Sequence, residues 1–161
     1  MKKLFLIILI CIFPILIFVM YVNISGMYVN VHKLQVKESK ILIMHLKNAD
    51  AKSIKEMFCT STIDNCENID KQIDVLIQNI GKNIEETGEI VGGGESQHSQ
   101  NGKITRLDYN ATIKDVVLKN GQKCDITFLS DPINDDYPDY KGIELIGVHF
   151  EDSSKDFYVG K

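Results

Sequence analysis

At Gly81 the apolar pattern of this chain changes period, and that change constrains the fold more than any other feature. Before it, Ile69, Ile73, Leu76, Ile77 and Ile80 fall at i, i+4, i+7, i+8 and i+11, one stripe of a helical repeat. Asn68 is the expected N-cap, Asp70 suits the positive helix end, and Gly81 suits the C-terminal cap. After Gly81 the period becomes two. Residues 83–91 read as a first strand, Lys103 to Leu118 as a second, Gln122 to Leu129 as a third and Gly142 to Glu151 as a fourth. Leu107, Tyr109, Ala111 and Ile113 share one face, as do Cys124, Ile126 and Phe128. Asn120-Gly121 between alternating runs predicts a tight hairpin. The glycine-rich stretch from Gly92 to Gly102 and the acidic stretch from Ser130 to Tyr140 read as loops.

Two more helices are expected ahead of the stripe. Glu38 to Lys47 is nearly apolar all round, and Asp50 can cap a helix running to about Phe58. Cys59 to Glu67, rich in Thr, Ser, Asp and Asn, reads as a loop. The expected fold is therefore α+β: three N-terminal helices on one face of a curved, mostly antiparallel sheet of about four strands.

The chain opens on Lys2 and Lys3, followed by an uncharged run from Leu4 to Val22. Nineteen helical residues reach about 28 Å, close to the ~30 Å hydrocarbon core of a bilayer. The basic flank is N-terminal, so the N-terminus is expected in the cytoplasm and the rest outside it. Residues 1–22 are read as a membrane anchor, 23–37 as a stalk and 38–161 as one domain. Two alternatives stay open. A cleaved signal would give a secreted protein, although the exit Asn23-Ile24-Ser25-Gly26 is a poor cleavage site. A lipoprotein would use Cys11, although the bulky Ile10 precedes it.

Without the two leading lysines, 16 basic residues face 22 acids, a net charge of about −6. That disfavours nucleic acid and anionic headgroups as partners. Cys59, Cys66 and Cys124 lie beyond the apolar run, where an extracytoplasmic setting permits disulfides. A bridge between Cys59 and Cys66, flanking the expected loop, is one reading; free thiols are the other.

The order of elements resembles the nuclear-transport-factor-2-like fold, in which a curved sheet wraps a long helix into a cone. More closely, the chain resembles a bacterial family catalogued as domain of unknown function 5104. The resemblance rests on DAKSIKEMF at Asp50–Phe58, IDKQIDVLIQNIG at Ile69–Gly81, the glycines at 92–94, and DPINDDYPDYKGIELI at Asp131–Ile146. It implies the cone, and export from the cell, often as a lipoprotein. It implies no reaction, because the family has none assigned.

No constellation in the sequence carries a reaction. Asp131, Asp135, Asp136 and Asp139 offer hard oxygen ligands, but without the alternate-residue spacing of a calcium loop, so a solvated hairpin loop is the expectation. The glycines lack a phosphate-loop pattern. No cofactor and no metal ligand is expected. Tyr109, Asp125 and His149 are the polar strand residues that could face a cavity, with Tyr as hydrogen-bond donor and Asp or His as base. The expected function is a tethered, non-enzymatic domain that binds a small molecule, peptide or protein, with a homodimer through the sheet as one arrangement. The alternatives are a small isomerase- or cyclase-like enzyme, and an immunity or envelope-stress protein acting by contact.

Overall fold

The computed structural model describes residues 29–161, together with Pro14 and Ile17. Apart from those two residues, the Leu4–Val22 run lies outside the described residues, and so do the anchor, signal and lipobox readings. Among the described residues no helix is long and apolar enough to cross a membrane.

Within residues 29–161 four helices come first: α1 (Val31–Lys47), α2 (Ala51–Met57), α3 (Thr60–Asn65) and α4 (Ile69–Asn79). Helix α1 begins at Val31, seven residues ahead of the expected start at Glu38, within the segment read as a stalk. Asn30 caps it by accepting the Lys33 amide at 2.9 Å, so residues 31–37 are helix. The buried side of α1 is Val31, Gln35, Ser39, Leu42 and Leu46. Its first half packs through polar groups, which hydropathy alone does not flag as a core stripe. Asp50 caps α2 as expected, accepting the Ser53 amide at 3.0 Å. Helix α3 occupies the expected loop. Its Thr, Ser, Asp and Asn residues are weak helix formers, and it forms only one to two turns. The α4 stripe is buried throughout. Asn68, however, takes a left-handed conformation at φ +64° and makes no side-chain cap bond. Gly81 is needed for proximity rather than for capping: a Cβ there would lie 2.5 Å from the Leu46 carbonyl oxygen, where α1 meets the end of α4.

Six strands follow: β1 (Ile84–Glu86), β2 (Ile90–Gln100), β3 (Lys103–Leu118), β4 (Lys123–Asn134), β5 (Gly142–Phe150) and β6 (Phe157–Val159). Every pairing between them is antiparallel. The sheet order is β1-β3-β4-β5-β6, and β2 also pairs with β3. Since β4 covers one edge of β3, β1 and β2 lie in succession along the other. The sequence prediction of four strands is short by two. The expected glycine loop is strand β2, and the expected acidic loop begins as the end of β4. Both were hidden because exposed edge residues and residues near a turn are polar whatever their backbone does. Asn120-Gly121 does form the β3–β4 turn, with Gly121 at φ +80° and the Asn120 side chain accepting the Gln122 amide.

The helices cover one face of the sheet. Leu42, Leu46, Ile54, Ile73, Leu76 and Ile80 belong to the same core as Leu107, Ala111, Ile113, Ile126, Phe128, Ile146 and Val148 of the strands. Burying each of the Leu, Ile, Val and Phe side chains contributes about 1.5–3 kcal/mol, so this layer holds the domain together.

Candidate functional site

Three register shifts fall at one level of the sheet. From Gly92 to Glu95, β2 takes one more step than its partner segment Ala111 to Tyr109. From Ser130 to Ile133, β4 takes one more than Tyr109 to Leu107. From Ile143 to Leu145, β5 takes one more than Ser130 to Leu129. Each is a β-bulge, and bulges turn side chains out of the regular alternation. The extra residues lie within Gly93-Gly94, within Asp131-Pro132 and at Glu144.

These bulges border a groove of about 290 Å³ lined by Gly94, Arg106, Asp108, Asn110, Leu129 and Glu144, with Tyr109 and Ser130 completing it. Arg106, Asp108 and Asn110 alternate with the buried Leu107, Tyr109 and Ala111, so they stand on the face away from the helices. Arg106 is the chain's only arginine. Its Nε lies 3.4 Å from Asp108 Oδ1 and 3.6 Å from Asp131 Oδ2. Asp131 is fully buried; its Oδ2 accepts from Asn134 at 2.7 Å, while its Oδ1 has no hydrogen-bond partner. Burial pushes the Asp131 carboxyl above its ordinary range, against the bond from Asn134 and the charge of Arg106. Glu144 is also pushed up, first by burial and then by the Asp131 charge.

On the helix side of the same level, Tyr109 pairs with Ser130 across β3 and β4. The Tyr109 hydroxyl, Ser130 Oγ, Glu38 Oε2 and Ser39 Oγ are all buried, and none closes a hydrogen bond. Burial, then the nearby Glu38 charge, pushes the Tyr109 phenol far above its usual value. Beside this cluster, Gln35 donates to the Asn110 carbonyl at 3.1 Å. That carbonyl lies opposite the β2 bulge. Gly92 leaves room for the Gln35 side chain, which a Cβ would strike.

The three sequence-predicted residues do not meet. Tyr109 faces the helices. Asp125 and His149 are cross-strand neighbours on the opposite face. Asp125 accepts from Lys114 at 2.5 Å and from the Asp115 amide at 3.0 Å. His149 Nδ1 lies 3.1 Å from Asp156 Oδ2, and its ring stands edge-on to Tyr158. Both residues are occupied by neighbours on the sheet surface.

Cys59 and Cys66 are free thiols at the two caps of α3. Seven residues of helical rise separate them by about 10 Å, beyond the ~7 Å Cα limit of a disulfide. Cys59 Sγ instead bonds Thr62 Oγ1 at 3.2 Å, and Cys66 Sγ reaches the Lys161 carbonyl at 3.4 Å. The acidic loop dissolves as a unit: Asp131 is inside β4, and Asp135 pairs with Lys103 at 2.7 Å. Among the described residues no group of three or more His, Cys, Asp or Glu is arranged to hold a metal ion.

The family model described as "Domain of unknown function (DUF5104)" matches residues 41–151. The chain belongs to that family. The match takes in α2, α3, α4 and strands β1 to β5, and it contains every residue lining the DUF5104 groove. No curated protein matches the chain. Of the groove residues, Arg106, Asp108 and Glu144 were missed as a site by sequence reasoning. Pro132, just past the alternating run that ends at Leu129, and the consecutive glycines at 93 and 94 were the available signals, since both residue types concentrate at bulges.

Proposed function

We propose that this DUF5104 chain is a membrane-tethered, outward-facing binding domain without a catalytic role, and that its ligand sits in the groove over the aligned bulges. The observation that carries this reading is the stacking of three bulges on four neighbouring strands, which brings one cation and two carboxylates to a single concave place, with the buried Asp131 behind Arg106. The tether rests on Lys2, Lys3 and the Leu4–Val22 run, and with it the extracytoplasmic location and the bacterial exported character. Helices followed by an antiparallel sheet support a nuclear-transport-factor-2-like cone. The separation of Tyr109 from Asp125 and His149 speaks against an enzyme built on those three.

A protein partner or a homodimer through the sheet is the second reading. It is favoured by Leu129, Val91 and Tyr158, which stay exposed on the strands. Native mass spectrometry of the full chain, extracted from its own host in non-ionic detergent, separates the two. A small added mass on the 18.2 kDa monomer is expected. A dimer or a protein complex without it would favour the second reading, and a bare monomer would sink both.

A further inference from the structure

We propose that the groove binds a small organic cation: a primary ammonium held between Asp108 and Glu144, close to the buried Asp131, with its apolar stem along Leu129. This rests on the groove being the ligand site.

The argument is one of charge and donors. Asp108 and Glu144 line the groove with Arg106, and Asp131 lies behind them with its Oδ2 3.6 Å from the Arg106 Nε, so three carboxyls gather round one guanidinium. The Arg106 contacts at 3.4 and 3.6 Å are charge pairs and not hydrogen bonds, so the guanidinium is shared rather than committed to either acid. Carboxyls therefore outnumber cations at this place, and burial of Asp131 makes an unmatched negative charge there costly. Burying a charge without a partner is costly, so the groove favours a cation over an anion or a neutral polar group.

The second observation is Asp131 itself. Its side chain is 1% exposed just behind the groove wall, with Oδ2 3.6 Å from the Arg106 Nε, and its Oδ1 accepts no hydrogen bond. A fully buried carboxylate oxygen without a donor is rare in a folded protein. An ammonium is compact and carries three donors, which suits two lining carboxylates with a third close behind better than a planar, bulkier group would. The surroundings agree with an organic cation. Leu129 is 39% exposed at the groove and offers an apolar floor. A Cβ at Gly94 would meet nothing within 4 Å, so the rim beside β2 is open.

The experiment uses the full chain in non-ionic detergent and titrates it by calorimetry with butylammonium, with butyrate and with sodium chloride at matched ionic strength. Saturable binding of butylammonium alone is expected, weakened at least tenfold in both Asp108→Asn and Glu144→Gln. These changes keep side-chain volume at partly exposed positions, and unchanged far-ultraviolet circular dichroism certifies the fold. Butylammonium binding that ignores both substitutions, or that is no stronger than the salt response, overturns the cation. A host-derived neutral or anionic ligand that is lost from Leu129→Arg would do the same while keeping the groove. Loss of every groove ligand would sink the groove reading as well.

Discussion

At the scale of the residue, the buried hydroxyl of Tyr109 is the most exacting test. Its phenol is 3% exposed, and although Glu38 and Ser130 approach the hydroxyl closely enough for weak hydrogen bonding, neither meets it in regular hydrogen-bond geometry. An unpartnered buried polar atom costs about 1–3 kcal/mol. Tyr109→Phe removes the hydroxyl and keeps the ring, so stability should hold or rise by up to ~1 kcal/mol in urea unfolding. A loss larger than that would mean the hydroxyl is bonded after all. The cysteines give a second residue-scale test. With α3 holding Cys59 and Cys66 apart, the non-reduced protein should show no mass gain on treatment with a reductant, and a thiol reagent should label the half-exposed Cys66 well before the buried Cys59. An internal disulfide in the non-reduced protein would contradict the helix. Tyr109 was legible as a core residue from its strand alternation. The absence of a hydrogen bond was not, because it depends on where α1 places Glu38.

At the scale of the element, strand β5 begins where α2 ends, and one glycine makes that approach possible. Gly142 has φ +133°, and a Cβ there would lie 2.9 Å from the Met57 carbonyl oxygen and the Cys59 amide nitrogen. The Cys59 amide donates to the Ile143 carbonyl at 2.9 Å, so this is where the helical layer is stitched to the sheet. Gly142→Ala should cost about 1–3 kcal/mol through backbone strain and separation of the two layers, read as a lowered urea midpoint. An unchanged midpoint would show that the junction can yield. The α4 stripe, the Asp50 cap and the Asn120-Gly121 turn were readable because each is local. The start of α1, helix α3 and strands β2 and β6 were not. The start of α1 has a local cap in Asn30 but no apolar stripe to announce it, and α3 and β2 are made of residues whose own preferences point elsewhere.

At the scale of the whole molecule, the buried Asp131 and the half-buried Glu144 set an unusual pH response. The folded state holds Asp131 and Glu144 above their ordinary values of 3.8 and 4.5. A raised carboxyl favours folding when protonated, so its contribution grows as pH falls through the folded value and is complete below the ordinary one. Asp50 and Asp152 are lowered by hydrogen bonds from Ser53 and Ser154, so their contribution is lost only below the usual carboxylate range. The urea midpoint should therefore rise on mild acidification from neutrality toward about pH 4–5, then fall. Asp131→Asn should flatten the rise. A midpoint that falls steadily from neutrality, or a rise that survives the substitution, would show that these acids do not govern it. The sequence by itself determined the class of fold, the helical stripe, the central strands and the family, because hydrophobic period, caps and turn residues act over a few neighbours. Only the tertiary structure decided the site. The three bulges share a level because four strands pair in a particular register, and that pairing gathers Arg106, Asp108, Asp131 and Glu144 from three strands while sending Tyr109 to the opposite face from Asp125 and His149.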